Sequence, residues 1–217
     1  GVDPRGPRAR RLAQALKAKG AGHAICNTTV TGLFLKTLTE EGVECIALIH
    51  ELPGVIAQYG LSDHLKAIWA HARRTIYPST FVREKLAPPA GRPETVRTQG
   101  LYKRNGARKA EERAASRQRL RAHFDLPAHA EIVLCVAYGD RRKGIDLWAE
   151  IGRRVMQARK NAVFFWVGDI EASQRDGLAA AVSATGMAER FLFPGFQSQT
   201  DDFYAGADIF AMPSRED

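Results

Sequence analysis

Helical and strand-like segments alternate along this chain, and that rhythm predicts an α/β fold built on parallel sheets. Two further observations support it. Apolar runs of strand length, such as Val43–Ile49 and Glu131–Tyr138, fit strands covered on both faces. Glycine-bounded turns such as Gly139–Gly144 follow buried runs and open helices. No stretch of about 18 consecutive apolar residues occurs, so no membrane-spanning helix is expected. No charged leader with an apolar core and cleavage site is visible either.

The elements can be placed in order. Arg8–Ala18 has helical character and is closed by Gly20. His23–Cys26 reads as a short strand, Gly32–Thr39 as a helix stopped by Gly42, and Val43–Ile49 as a buried strand. Ser62 can cap a helix through His71, with Leu65, Ile68 and Trp69 on one side. Thr75–Tyr77 is a short strand. Ser79 opens a helix whose apolar positions are Phe81, Val82 and Leu86. The Pro- and Gly-rich Ala87–Pro93 breaks regular structure and marks a boundary near residue 94.

A second region follows. It begins with Thr95–Tyr102 and a basic helix, Ala107–Phe124. Glu131–Tyr138 is a buried strand, Gly139–Gly144 a turn, and Ile145–Arg159 a helix with Ile145, Trp148, Ile151 and Val155 on one face. Strand Ala162–Val167, turn Gly168–Ile170 and helix Arg175–Thr185 repeat the unit. Arg190–Phe193 is a third strand. A short helix at Asp201–Ala205 leads to a last strand and the polar stretch Pro213–Asp217. Loops after strands are where open α/β domains bind ligands, so the sequence is expected to stop inside a functional site of a longer enzyme.

Composition narrows the function classes. Of 217 residues, 45% are hydrophobic and 26% charged, enough apolar material for a core. The three cysteines, Cys26, Cys45 and Cys135, lie in apolar strands without a C-x-x-C pair and read as buried free thiols of a reducing compartment. The net charge of +8 suits nucleic acid, anionic lipid or phosphorylated small molecules without choosing between them. The basic run Lys103–Arg121 contains Glu111 and Glu112 and lacks interleaved aromatics, which fits a solvated helix face.

Four strand ends could carry chemistry. The turn Gly-Asp-Arg-Arg-Lys-Gly at 139–144 places Lys143, Arg141 and Arg142 at a helix start, where backbone N–H groups and the positive dipole end favour a diphosphate. It is neither a P-loop nor a G-x-G-x-x-G turn. Gly168 and Asp169 follow the next strand, and Glu216 and Asp217 follow the last, which should put all three on one sheet edge. Each taken singly also fits ordinary solvated turn chemistry. His50 ends a strand and can serve as base or hydrogen-bond donor, or as a structural histidine. The other histidines form no metal-binding set, and no G-x-S-x-G elbow occurs.

With these residues in view, the chain resembles a retaining glycosyltransferase of the GT-B fold, in the large group called family four or group 1. The segment IVLCVAYGDRRKGIDLW resembles the donor-phosphate element, and FWVGD the second strand. RFLFPGF and DDFYAGADIFAMPSRED resemble the approach to a paired acidic motif. NTTVTGLFLKTLTEEGVECIALIHELP and TIYPSTFVREKL are similar to the end of the acceptor domain, and VRTQGLY to the interdomain linker.

The resemblance implies two Rossmann-like parallel-sheet domains, both incomplete: residues 1–94 from the acceptor side, a linker at 95–106, and 107–217 from the donor side. It implies Lys143 and an arginine, Arg142 or Arg141, on the donor diphosphate, because the family's usual arginine position holds Tyr138. Asp217 would be the first acid beside Glu216, with the second beyond the chain. His50 matches the histidine near the reacting sugar. Pro194–Gln197, with Phe196, would meet the nucleotide base, and Gly168 and Asp169 would line the donor site.

No metal and no cofactor are implied, the nucleotide-sugar donor being a substrate. The acceptor would be a glycan or lipid-linked glycan in polysaccharide biosynthesis. The location would be cytoplasmic with peripheral membrane contact, and nucleic acid would not be a partner. The hexosyl transfer expected of the whole enzyme would be weak or absent in this piece alone. A nucleotide-sugar epimerase of the same architecture and a non-catalytic basic binding module are the alternatives.

Overall fold

A computed structural model gives the structure of the chain and describes residues 3, 4, 6–100 and 109–216. The chain divides into two units, Gly1–Leu101 and Tyr102–Asp217. Each is a parallel α/β unit of the Rossmann-like kind.

In the first unit, helix α1 (Pro7–Ala18) precedes strand β1 (His23–Asn27), helix α2 (Gly32–Glu40) and strand β2 (Glu44–Leu48). Helices α3 (Pro53–Gln58) and α4 (Ser62–His71) lead to β3 (Arg74–Tyr77), α5 (Thr80–Leu86) and β4 (Glu94–Val96). The sheet order is β1-β2-β3-β4, parallel throughout. Thus Glu94–Val96 pairs within the first sheet, with Ile76 opposite Thr95. Residues 101–106 of the expected linker lie outside the described residues.

Two expectations change here. Helix α3 was not foreseen. Pro53 starts it, where its missing N–H costs nothing, and six residues are too few for a visible period. Phe81 is not a core position: it is 57% exposed, with the Lys85 ammonium 5.5 Å from its ring centre, while Val82 and Leu86 are buried.

The run Val43–Ile49 also differs from expectation. Cys45 and Ala47 are buried against Leu35, Leu38, Leu65 and Ile68 of α2 and α4. Ile46 and Leu48 are only half-buried, and Ile25, opposite Ile46 in the register, is 75% exposed. Among the described residues, helices cover one face of this sheet and none packs on the other. Apolar strand composition sets the capacity for two-sided burial; the packed elements decide whether it is used.

The second unit shows the two-sided case. Helix α6 (Ala110–His123) is followed by β5 (Glu131–Val136), α7 (Ile145–Ala158), β6 (Ala162–Val167), α8 (Ala172–Ala184), β7 (Phe191–Gly195), α9 (Asp201–Gly206) and β8 (Ile209–Phe210). Every residue of β6 is buried. Phe164 and Trp166 pack with Trp148 and Leu178 on one face. Val163, Phe165 and Val167 pack with Leu120 and Phe203 on the other. The Trp148 ring meets Phe164 and Trp166 edge-on at 5.1 and 5.3 Å.

The strand order is β7-β6-β5-β8, all parallel. From β5 the chain first proceeds outward through β6 and β7, then returns to the other side of β5. The order therefore reverses between β5 and β8, which is where ligands enter open α/β sheets. Pro194 lies in the edge strand β7, where a missing N–H is tolerated and the ladder shifts register between Phe165 and Val167. All three cysteines are buried and free.

Candidate functional site

The site of the second unit is assembled from the turns that leave β5, β6 and β7. The Gly139 N–H donates to Asp169 O at 2.7 Å, and Glu171 N–H donates back to Gly139 O at 3.0 Å. Gly168 N–H donates to Gly195 O at 2.8 Å. These bonds continue the parallel ladder past the strand ends. Gly168 has φ of +137°, and a Cβ there would run into the Ala137 carbonyl oxygen, so both conformation and space require glycine. The result is a cleft of about 390 Å³ lined by Ala137, Tyr138, Gly168, Asp169, Phe196, Gln197 and Thr200, among others. Phe196 is 70% exposed and Tyr138 54%, two aromatic faces available to a flat ligand.

The basic turn continues from Tyr138. Asp140 Oδ1 accepts the Lys143 N–H at 2.7 Å, an Asx-type closure. Gly144 takes φ of +82° and lies so close to Pro213 that a Cβ would strike the Pro213 carbonyl oxygen. The helix start is less bare than the sequence suggests. The N–H groups of Gly144, Ile145 and Leu147 donate to Arg141 O, Asp140 O and Gly144 O. What the turn offers an anion is therefore chiefly side-chain charge, aided by the dipole of α7.

Lys143 is half-buried, and burial, then the neighbouring Arg142, holds its ammonium below the usual lysine range. The opposite charge of an arriving anion would offset both effects. Arg142 Nη1 donates to Glu216 O at 3.1 Å. Cys135, beneath the turn, is pushed up to about 12 by burial and stays a thiol. The structure thus brings Gly168, Asp169 and Phe196 into one cleft, and Arg142 with Lys143 and Glu216 at the neighbouring turn. Asp217 lies outside the described residues.

His50 belongs to the first unit. It follows β2, and its ring is held from two sides: Nε2 lies 2.7 Å from Asn27 Oδ1, and Gln99 Nε2 lies 2.8 Å from Nδ1. The Nε2–H tautomer satisfies both bonds. The next residue, Glu51, accepts from Thr29 N at 3.0 Å, Thr29 Oγ1 at 2.7 Å and His50 N at 3.2 Å. Burial raises its carboxyl, but these bonds outweigh burial and hold it below the ordinary glutamate range. Asn27 and Gln99 escaped sequence reading. Asn27 ends a strand, a weak signal; Gln99 carried none. Tyr138 and Thr200 were likewise not predicted as lining residues, whereas Gln197 falls in the segment expected to meet the base.

Residues 130–217 match the family described as glycosyl transferases group 1. A curated relative, the lipopolysaccharide core biosynthesis glycosyltransferase LpsE of Rhizobium meliloti (strain 1021), is 35% identical over 95 residues, which is 43% of this chain and 26% of the relative. Among solved structures, Anabaena Alr3699/HepE in complex with UDP and glucose superposes with a TM-score of 0.77 at 18% identity, over 96% of this chain and 56% of that one. An α,α-trehalose-phosphate synthase (UDP-forming) from Burkholderia xenovorans gives 0.71 at 13% identity, over 95% and 56%. The chain therefore spans about a quarter of the curated relative and just over half of these structures. The structural likeness shows the fold, GT-B-like with two Rossmann-like units.

Proposed function

We propose that this chain binds a nucleotide-sugar donor and forms part of a glycosyltransferase that moves a hexosyl group to an acceptor hydroxyl with retention and without a metal ion. The observation that carries this reading is the placement of a lysine- and arginine-bearing turn beside the Tyr138–Phe196 cleft, at the reversal in strand order of a segment matching group 1 glycosyl transferases.

Each residue then has a role. The base stacks in the cleft, contacting Phe196 and the backbone of 194–197. Gly168 allows close approach, and Asp169 hydrogen-bonds donor hydroxyls. As the glycosidic bond breaks, positive charge spreads over the sugar ring and negative charge grows on the departing diphosphate. Lys143 and Arg142 stabilise that leaving group, supplying by fixed cations what a metal would otherwise supply. Glu216 and Asp217 orient sugar hydroxyls, and His50, held by Asn27 and Gln99, is the candidate hydrogen-bonding histidine of the first unit. The UDP-glucose bound by HepE and the lipopolysaccharide core biosynthesis role of LpsE support a UDP-sugar donor and a glycan or lipid-linked acceptor. Among the described residues no helix is long and apolar enough to cross a membrane. Net charge of +8 favours peripheral contact with anionic lipid from the cytoplasmic side.

The test is incubation with a panel of nucleotide sugars and glycan acceptors, reading nucleoside diphosphate release and the anomeric configuration of the product by NMR. Chelator-resistant transfer with an unchanged anomeric configuration supports the reading. Isomerised donor without transfer would indicate an epimerase, and salt-sensitive polyanion binding indifferent to nucleotide sugars would indicate a basic binding module.

A further inference from the structure

The segment after β8 is fastened to the basic turn by more than proximity. Arg215 Nη1 and Nη2 donate to Asp146 Oδ1 and Oδ2, each at 2.8 Å, a forked pair with the first turn of α7. Arg215 Nη1 also donates to Arg141 O at 2.5 Å, and Arg215 N–H donates to Arg142 O at 2.8 Å. Arg142 Nη1 returns a bond to Glu216 O at 3.1 Å. Pro213 packs onto Gly144. Upstream, the two-residue strand β8 pairs with Val133 and Leu134, the Ala211 N–H donates to Leu134 O at 2.8 Å, and Ile209 and Phe210 are exposed.

We propose that Arg215 and Asp146 are positioning residues that lock the 140–144 turn and the 213–216 segment into one anion-binding rim. The inference rests on the donor-site reading above. Its physical content is specific. Arg215 engages the carbonyl oxygens of Arg141 and Arg142, two negative dipole ends of this turn. Asp146 neutralises the arginine that does so, so the clamp adds no net charge of its own to the rim that carries Lys143 and Arg142. Neither Arg215 nor Asp146 touches the donor. They act by fixing which atoms of the turn face it.

The test measures UDP and GDP binding, each beside its nucleoside, by calorimetry on the 217-residue chain and on Lys143→Ala, Arg215→Met, Arg215→Lys, Asp146→Asn and the double variant Arg215→Met/Asp146→Asn. Thermal unfolding confirms that each variant folds. Arg215→Met and Asp146→Asn should each weaken the diphosphate that binds by roughly tenfold and leave nucleoside affinity unchanged. The double variant should be no weaker than Arg215→Met, because both changes break one clamp. Arg215→Lys keeps the charge but loses the fork and should fall between. If binding depends on Lys143 but Arg215→Met and Arg215→Lys bind diphosphate within about twofold of the parent, the clamp is overturned and the donor site stands. Additive losses would equally overturn it. If Lys143→Ala has no effect, or neither nucleotide binds, the donor reading fails and takes the clamp with it.

Discussion

Lys143 sits where burial and Arg142 both disfavour its charge. A diphosphate would favour the charged form, so binding and protonation are linked. The ligand raises the lysine's depressed proton affinity. Diphosphate affinity should therefore be full below the depressed value and decline as pH rises through it towards the value in the complex. Calorimetric titrations across alkaline pH would show this decline for the parent. Lys143→Arg, whose guanidinium stays charged, should remove it. His50 makes a second residue-scale prediction. Removing its Asn27 partner takes away the acceptor of its Nε2–H, so Asn27→Ala should shift the ring nitrogen resonances of His50 towards a mixed tautomer population. An unchanged spectrum would contradict the paired hydrogen bonds. The lysine and the histidine could both be singled out in the sequence, Lys143 as a cation of a glycine-bounded basic turn and His50 because it follows an apolar run. Their supports were not. Arg215 and Asp146 are 69 positions apart, and Gln99 and His50 are 49 apart, so only the folded sheet brings them together.

At the scale of elements, the legible features were those that a continuous pattern encodes. Strand β6 reads Ala-Val-Phe-Phe-Trp-Val and is buried on both faces as that composition suggests. The similar run in β2 is not, because helices pack on only one side of it. The six-residue α3, with neither a capping side chain nor an acidic first turn, and three-residue strands such as β4 carried no such pattern, whereas the equally short α9, opened by Asp201 and Asp202, was foreseen. One glycine shows how closely two helices are fitted. Gly32 opens α2 directly against the backbone of His64 in α4, and an added Cβ would collide with the His64 carbonyl oxygen. Backbone cannot rotate aside as a side chain can. Gly32→Ala should therefore cost about 2 kcal/mol in urea unfolding. Gly177→Ala, with nothing near the new methyl, should be neutral or stabilising. Equal midpoints for the two variants would contradict the close α2–α4 contact.

For the whole molecule, the balance of +8 is spread over surface helices as well as the basic turn. The two kinds of charge predict different salt responses. A diphosphate held by two or three cations at one rim should lose no more than roughly tenfold in affinity between about 50 and 200 mM salt, whereas binding that neutralises many phosphates of a polyanion falls by about a thousandfold or more. Fluorescence titrations at graded salt would tell them apart. The most direct measurement is a crystal structure of the chain with a bound nucleoside diphosphate. The account predicts the phosphates against the Lys143 ammonium at the start of α7, with the base beside Tyr138 and Phe196. Phosphates seated instead on the basic face of α6, with the 139–144 turn unoccupied, would contradict it.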